Sequence, residues 1–290
     1  MNEQDSGIAQ LLERINTALG TDYRLRGRYS SSENHGAYKL EDAAGTPFVL
    51  KAHNDEAILP RLLRARAVTA RLRELEIPAP AYVHIGTQGG RVYWLQSALP
   101  GEPPETLSAA QVGQLLEYNA RQAGQAISNE QNWSWYVRAV VFAGESGWVA
   151  SLRGHSAATC SLLGRLERLT AGEEASPSRR DDLVHGDLCL SNVLVASGRV
   201  SGVVDWDAAG CGDRALDLAK LLFYSFEQAD IRALLWSRIV DISVPDALTV
   251  YLSYITLAQL DWSIHHHGLI AVTTWVARAE AMLDVLESAC

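Results

Sequence analysis

The segment at residues 185–207 constrains the fold of this chain more than any other, because it predicts a hairpin with polar residues at both of its ends. Its two strand-like runs, 193–195 and 200–204, are short and rich in valine, and a Ser-Gly pair lies between them. This is the pattern of a β-hairpin. Asn192 comes directly before the first run and Asp205 directly after the second. Since the two ends of a hairpin meet, we expect Asn192 and Asp205 to be neighbours.

These residues carry the oxygen ligands that a divalent cation needs. Asn192 offers an amide oxygen and Asp205 a carboxylate, and both are hard donors suited to Mg²⁺. Mg²⁺ neutralises phosphate charge in phosphoryl transfer, and Asp187 is a second carboxylate that can orient an attacking hydroxyl group and accept its proton. Singly, each of these residues is commonly a turn or cap residue. Together they predict a phosphoryl-transfer site.

The first third of the chain alternates strand patterns with helical patterns. Apolar residues recur at helical spacing near the N-terminus and again from about residue 59 to residue 75. Short strand-like runs separated by turn residues predict strands. They lie at residues 37–40, 48–52, 82–85, 92–95 and, later in the chain, 183–188. We therefore expect a small antiparallel sheet, with Lys51 near the end of its second strand.

A mainly helical region follows this sheet. A Pro-Gly pair at positions 100 and 101 is typical of a lobe boundary, and we place the two domains at residues 1–97 and 98–290. Ser108 and Gln111 form a capping-box pattern ahead of a helix, and helical spacing dominates the last third of the chain. A sheet followed by helices predicts an α+β fold.

The charge balance restricts the partners. The chain has 290 residues and a formal net charge of -9, which disfavours nucleic acid and anionic membranes and suits a neutral or cationic small molecule. Its four cysteines are scattered, unlike a disulfide framework or a zinc site, and no stretch has the pattern of a signal peptide or membrane span. We expect a cytoplasmic protein, monomeric or homodimeric, that binds neither nucleic acid nor membrane.

Four motifs occur together in the second half of the chain. They are HGD at residues 185–187, an asparagine five residues later, DWD at 205–207 and GDRALDLAKLL at 212–222. This set resembles the aminoglycoside phosphotransferases and their antibiotic- and choline-kinase relatives, over roughly residues 29–224. The resemblance implies a bilobal, protein-kinase-like α+β fold, with a small antiparallel β-sheet lobe that binds the nucleotide. The larger, mainly helical lobe would carry catalysis and substrate binding.

The resemblance also assigns roles to individual residues. It implies that Asp187 is the catalytic base and that Asn192 and Asp205 hold Mg²⁺. Lys51 ends a run that is similar to the third strand of the kinase small lobe, whose lysine contacts the α- and β-phosphates of the nucleotide. Further nucleotide-binding residues implied by the resemblance are Ser31 and Ser32 in the phosphate-covering loop, and Gln96 and Ala98 in the hinge strand.

Two features depart from the family pattern. Residues 30–36 contain one glycine in place of the three of a glycine-rich kinase loop. Pro60 favours the first turn of the predicted helix, so Glu56 falls before the helix that would carry the glutamate partner of the lysine. We therefore expect Lys51 to lack its usual partner.

Three residues are candidates for substrate binding. Asp207 could bind a substrate cation or a second metal ion, or serve as a structural hydrogen-bond acceptor. Asp261 and Trp262, with other aromatic residues on the late helices, could line an apolar, weakly acidic substrate pocket, although core packing is the simpler interpretation of the aromatic residues. The consecutive histidines at 265–267 cannot converge on one ion from a helix, so we expect a solvated or substrate-facing helix end.

The resemblance implies a Mg²⁺-dependent O-phosphotransferase that moves the γ-phosphate of ATP or GTP to a hydroxyl group of a small molecule. The expected substrate is an antibiotic of the aminoglycoside, macrolide, cyclic peptide or nucleoside class, and the expected result is resistance or self-protection. The alternatives are a metabolite kinase with a choline- or sugar-like substrate, a catalytically silent nucleotide-binding module, and a metal-dependent hydrolase. Lys51 argues against the hydrolase, and Asp187 argues against the silent module.

Overall fold

A computed structural model describes residues 3–29, 36–144, 146–171, 181–244 and 247–289. The chain divides into two compact units. Unit 1 comprises Met1–Pro104 and Ser191–Ala208, and unit 2 comprises Glu105–Leu190 and Ala209–Cys290. The domain boundary that we placed after residue 97 stays a prediction.

Unit 1 is built on a five-stranded antiparallel sheet in the order β1-β2-β3-β5-β4. The strands are β1 (Arg24–Arg28), β2 (Tyr38–Glu41), β3 (Pro47–His53), β4 (Tyr82–Gln88) and β5 (Arg91–Ser97). Two helices accompany the sheet, α1 (Glu3–Leu19) and α2 (Leu59–Glu74). The predicted helices and strands of this region are therefore present, and β1 is an addition.

Strand β5 contributes side chains to two hydrophobic clusters, because its side chains alternate between the two faces of the sheet. Tyr93 and Leu95 pack in a cluster with α1, whereas Val92 and Trp94 pack in a cluster with α2. Lys51 is the register partner of Trp94, so it stands on the α2 face of the sheet. This placement keeps Lys51 out of the cluster that packs against α1.

A hairpin from later in the chain belongs to unit 1. It consists of β7 (Val193–Ala196) and β8 (Arg199–Val203), close to the predicted bounds. Glu102 and Val195 exchange backbone hydrogen bonds of 3.2 and 3.0 Å, and Val203 N–H donates to the Pro78 carbonyl at 2.9 Å. These long-range bonds attach the hairpin to the sheet unit.

Unit 2 is mainly helical, as the sequence predicts. Its helices are α3 (Ala109–Arg121), α4 (Trp133–Arg138), α5 (Trp148–His155), α6 (Ala157–Leu169), α7 (Ala215–Tyr224), α8 (Ala229–Ile242), α9 (Ala247–His266) and α10 (Leu269–Ala289). Ser108 and Gln111 form the predicted capping box at the start of α3. Every residue of α7 from Ala215 to Phe223 is buried, so this helix lies in the core of the unit.

The predicted strand at residues 183–188 is wrong in its second half. Strand β6 (Asp182–Val184) pairs with β9 (Gly210–Gly212), and the chain then leaves the extended conformation at Gly186, where φ is +81°. The backbone N–H groups of His185 and Gly186 donate to a side chain of α7 in place of a strand. Within the described residues, no helix combines the length and the apolar character needed to cross a bilayer.

Candidate active site

In unit 1, Lys51 contacts the carboxylate that follows the hairpin. Its Nζ lies 3.0 Å from Asp205 Oδ1, and its side chain is only 14% exposed. Asp205 has φ +67°, a left-handed conformation that is uncommon for a residue with a side chain and that occurs preferentially at functional sites. The short turn after β8 therefore delivers the carboxylate to the lysine of β3.

Asn192 lies at the same end of the hairpin as Asp205. Val193 pairs with Val203, and the Val204 N–H donates to the Asn192 carbonyl at 2.9 Å. The prediction that the open end brings these two positions together is confirmed. An amide and a carboxylate with oxygen donors at one place fit the preference of Mg²⁺, so Asn192 and Asp205 are suited to hold that ion.

Asp207 adds a second carboxylate to this end of unit 1. Burial and the neighbouring Asp205 carboxylate raise the pKa of Asp207 to about 6, while Arg61 and Lys51 oppose that rise. Arg61 Nη2, on α2, lies 3.4 Å from Asp207 Oδ2. Because the negative charges of the Asp205 and Asp207 carboxylates repel each other, a cation bound between them would be stabilised. A role of Asp207 in substrate binding stays a prediction.

The structure places Glu56 and Pro60 as the sequence predicts. Glu56 lies in a 3-10 turn (Glu56–Ile58) ahead of α2, and Pro60 lies in the first turn of α2. The carboxylate that contacts Lys51 is that of Asp205. The first aspartate of the DWD motif thus pairs with Lys51.

The other predicted nucleotide-binding residues are distributed along unit 1. Gln96 is buried on β5, and its side chain hydrogen-bonds to that of Tyr82. The Ala98 N–H donates to the Pro47 carbonyl at 3.2 Å, so this group is already engaged within the sheet. Roles for Gln96 and Ala98 in adenine binding stay predictions. Ser31 and Ser32 lie outside the described residues.

In unit 2, Asp187 lies in the loop after β6 and is bonded to a lysine of α7. Lys220 Nζ lies 2.7 Å from Asp187 Oδ1. The Asp187 side chain is 52% exposed, whereas that of Lys220 is 10% exposed. The Asp187 backbone N–H donates to His185 Nδ1 at 3.1 Å, and His185 is fully buried. The Asp187 carboxylate is therefore accessible to solvent, while the backbone of Asp187 is held by a hydrogen bond to the buried His185 side chain.

Asp217 holds the backbone that leads into Asp187. Its Oδ2 accepts the His185 N–H at 2.8 Å, and its Oδ1 accepts the Gly186 N–H at 2.9 Å. Burial raises the pKa of Asp217, while His185 and the two N–H donors act in the opposite direction. At Gly186, φ is +81° and an added Cβ would overlap the Trp133 ring. Glycine is needed here both for its conformation and for space.

Asp213 lies near the start of the GDRALDLAKLL motif (residues 212–222), four residues before Asp217. Its Oδ1 accepts the Ala215 N–H at 2.9 Å. Its Oδ2 accepts the hydroxyl groups of Tyr251, at 2.8 Å, and of Ser243. Asp213 therefore fixes the backbone at the start of α7, and Asp217 fixes the backbone of the loop before Asp187.

The sequence of this chain matches the model of a known family. The phosphotransferase enzyme family matches residues 27–236, which is more than half of the chain. The chain belongs to the phosphotransferase enzyme family. The Lys51–Asp205 pair and the loop that carries Asp187 both lie within the residues that the family model matches.

Two curated relatives match shorter segments of this family member. The chain is 48% identical over 40 residues to a probable aminoglycoside 3'-phosphotransferase of Lactococcus lactis subsp. lactis (strain IL1403), covering 14% of this chain and 15% of that protein. It is 34% identical over 143 residues to viomycin phosphotransferase of Streptomyces vinaceus, covering 44% of this chain and 49% of that protein. The matches thus span about half or less of these relatives.

A solved structure shares the fold of this phosphotransferase family member over nearly the whole chain. It is a thermostable mutant of aminoglycoside phosphotransferase APH(4)-Ia in a ternary complex with ADP and hygromycin B. The TM-score is 0.72 at 20% identity, covering 94% of this chain and 97% of that chain. At this identity the likeness concerns the fold, and it confirms the predicted kinase-like α+β class.

Aromatic side chains of unit 2 form a cluster on the helices of this family member. Tyr254 of α9 has its ring centroid 6.2 Å from that of Trp133, 6.1 Å from that of Tyr136 and 5.7 Å from that of Trp148. Burial chiefly raises the pKa of Tyr254, and Asp187 contributes to the rise. Tyr254 therefore lies close enough to Asp187 to be affected by its charge.

The predicted substrate residues Asp261 and Trp262 lie on the last turns of α9. Asp261 Oδ1 is 3.4 Å from His265 Nδ1, and Trp262 stacks on His266 with ring centroids 3.6 Å apart. Their roles in substrate binding stay predictions. Sequence reasoning overlooked Lys220, although a lysine among the apolar residues of the run ALDLAKLLFY, in which Asp217 is the other charged residue, is a detectable signal.

Proposed function

We propose that this protein is a Mg²⁺-dependent O-phosphotransferase that transfers the γ-phosphoryl group of ATP or GTP to a hydroxyl group of an antibiotic in the cytoplasm, and so confers resistance or self-protection. The observation that carries the proposal is the pairing of Lys51 with Asp205 beside Asn192. A phosphate-binding cation and two oxygen ligands for a divalent ion meet there within one unit. Family membership supports the same chemistry.

The residues of unit 1 account for nucleotide binding. Lys51 supplies a partly buried positive charge for phosphate oxygens, which form strong charge-assisted hydrogen bonds with ammonium groups. Asn192 and Asp205 would hold Mg²⁺. When bound, Mg²⁺ supplies positive charge that offsets the negative charge of the phosphates during transfer.

Unit 2 supplies the group that acts on the substrate. The exposed Asp187 carboxylate accepts a hydrogen bond from the substrate hydroxyl and orients its oxygen towards the γ-phosphorus. A bond forms between that oxygen and phosphorus while the bond from phosphorus to the leaving nucleoside diphosphate breaks, and the hydroxyl proton passes to Asp187. Asp217 keeps the backbone of this loop in place during the reaction.

The relatives favour an antibiotic as the acceptor. Viomycin phosphotransferase and the probable aminoglycoside 3'-phosphotransferase are named for antibiotics, and the APH(4)-Ia complex contains hygromycin B. The net charge of -9 and the aromatic cluster of unit 2 suit a neutral or cationic compound that carries rings. A metabolite kinase with a choline- or sugar-like acceptor uses the same residues.

The test is an assay of nucleoside diphosphate release with Mg²⁺ and ATP or GTP, against a panel of hydroxyl-bearing antibiotics, choline and simple sugars. We expect one antibiotic to gain about 80 Da by mass spectrometry, and Asp187→Asn to lose roughly 100-fold or more of the turnover. A product from choline or a sugar would establish a metabolite kinase. Nucleotide binding without any product would indicate a silent module, and diphosphate release without an acceptor would indicate a hydrolase.

A further inference from the structure

We propose that Lys220 is a positioning residue that holds the side chain of Asp187 for phosphoryl transfer. The proposal rests on the proposed function, because it gives Lys220 a role through the base. Lys220 Nζ lies 2.7 Å from Asp187 Oδ1, a distance typical of a charge-assisted hydrogen bond. A carboxylate held at one oxygen by a fixed ammonium group cannot rotate freely about its terminal torsion.

The position of Lys220 makes this contact rigid. Lys220 lies on α7, which is buried along its length, and its side chain is 10% exposed. A surface lysine samples many rotamers, whereas a buried one is confined by its packing. The ammonium group therefore has a defined place, and Asp187, which is half exposed, takes its orientation from it.

Lys220 remains a cation in this environment because of Asp187. Burial by itself lowers the pKa of a lysine, yet the pKa of Lys220 is raised, with Asp187 as the largest opposing influence. Tyr224, one turn further along α7, also acts in the raising direction, but burial keeps this phenol neutral by raising its own pKa. Cys189 also acts in the raising direction, but Asp187, which donates no proton and accepts the 2.7 Å hydrogen bond from Lys220, is the largest influence that stabilises the ammonium group.

One face of α7 sets both the backbone and the side chain of the base. Asp217 and Lys220 are three residues apart, so they lie on the same side of the helix. Asp217 accepts the N–H groups of His185 and Gly186, and Lys220 donates to the carboxylate of Asp187. Side chains of a single buried helix therefore position both the loop backbone and the Asp187 carboxylate.

The test uses Lys220→Met, which keeps the length of the side chain and removes its charge, in the full-length protein. We expect kcat to fall by roughly 10- to 100-fold, as for other losses of alignment, with the nucleotide Kd unchanged. Lys220→Arg should recover part of the loss because it keeps a cation. Lys39→Met is the matched control, since Lys39 is exposed on β2 and should leave turnover unchanged.

A double-mutant cycle separates positioning from a merely structural role. In an Asp187→Asn background, Lys220→Met should change kcat by less than about twofold, because the group through which it acts is gone. A further fall as large as that in the wild-type background would overturn the proposal, and so would an unchanged kcat in Lys220→Met.

Thermal unfolding of the four proteins of the cycle tests the proposal independently of turnover. They are the wild type, Asp187→Asn, Lys220→Met and the double variant. Asp187→Asn should lower Tm by leaving a buried cation without its counter-charge, and adding Lys220→Met should restore Tm. If the wild-type protein transfers phosphate to no acceptor, the proposed function fails. Additive Tm changes in this cycle show instead that Lys220 does not hold Asp187, so the two failures are distinguishable.

Discussion

The ammonium group of Lys51 lies 3.0 Å from the Asp205 carboxylate, although the two residues are 154 positions apart in the chain. This pair joins the third strand of a sheet to the turn after a distant hairpin. It also places the proposed phosphate-binding cation beside a proposed metal ligand. Phosphate and metal binding should therefore be coupled in this protein.

Lys51→Met tests this coupling from the side of the nucleotide. A hydrogen bond to a charged group is worth a few kcal/mol, so we expect the nucleotide KM and Kd to rise roughly 10- to 100-fold. Isothermal titration with and without Mg²⁺ measures the effect, with Lys39→Met as the control. An unchanged nucleotide Kd in Lys51→Met would refute a role for Lys51 in phosphate binding.

Removal of the metal tests the assignment of Asn192 and Asp205. Excess EDTA should abolish turnover, and added Mg²⁺ should restore it. Asn192→Ala and Asp205→Asn each remove or weaken one oxygen ligand, so the Mg²⁺ concentration for half-maximal rate should increase roughly 10-fold or more. Asp42→Asn, in an exposed turn of unit 1, should show the Mg²⁺ dependence of the wild type. Wild-type dependence in both site variants would exclude them as ligands.

Gly186→Ala should damage the loop that carries Asp187. The left-handed conformation and the overlap with Trp133 together should lower the free energy of unfolding by about 2 kcal/mol or more. Gly198→Ala is a matched control, because Gly198 has φ +76° but an added Cβ there meets no atom within 4 Å. Chemical denaturation compares the two. Equal losses would mean that the Trp133 contact is unimportant.

Asp217→Asn should weaken both stability and turnover. Each carboxylate oxygen of Asp217 accepts one backbone N–H, and an asparagine offers only one oxygen for the two donors. A buried N–H left without an acceptor costs about 1–3 kcal/mol, and kcat should fall because the loop shifts. Denaturation and steady-state kinetics measure the two effects, with the exposed Asp230→Asn as the control. Wild-type values for Asp217→Asn would contradict the role of this carboxylate.

The amino-acid sequence was sufficient to predict the elements whose signals are local. The hairpin of β7 and β8 follows from two valine-rich runs around a Ser-Gly turn, and its pairing brings Asn192 and Asp205 to one end without further information. The capping box of Ser108 and Gln111 and the place of Pro60 in α2 are equally local. The motifs at residues 185–222 also predict the family, because they combine several residues at set spacings.

Tertiary structure decided the features that depend on distant parts of the chain. Strand β1 escaped prediction because its sequence, RLRGR, has no apolar alternation and forms through pairing with β2. The Ala98 N–H is engaged by Pro47 only because β3 and β5 are neighbours. Lys220 contacts Asp187 because α7 is buried beneath the loop after β6. Local sequence patterns specify helices, strands and turns, whereas packing between residues 33 and 154 positions apart determines which side chains meet.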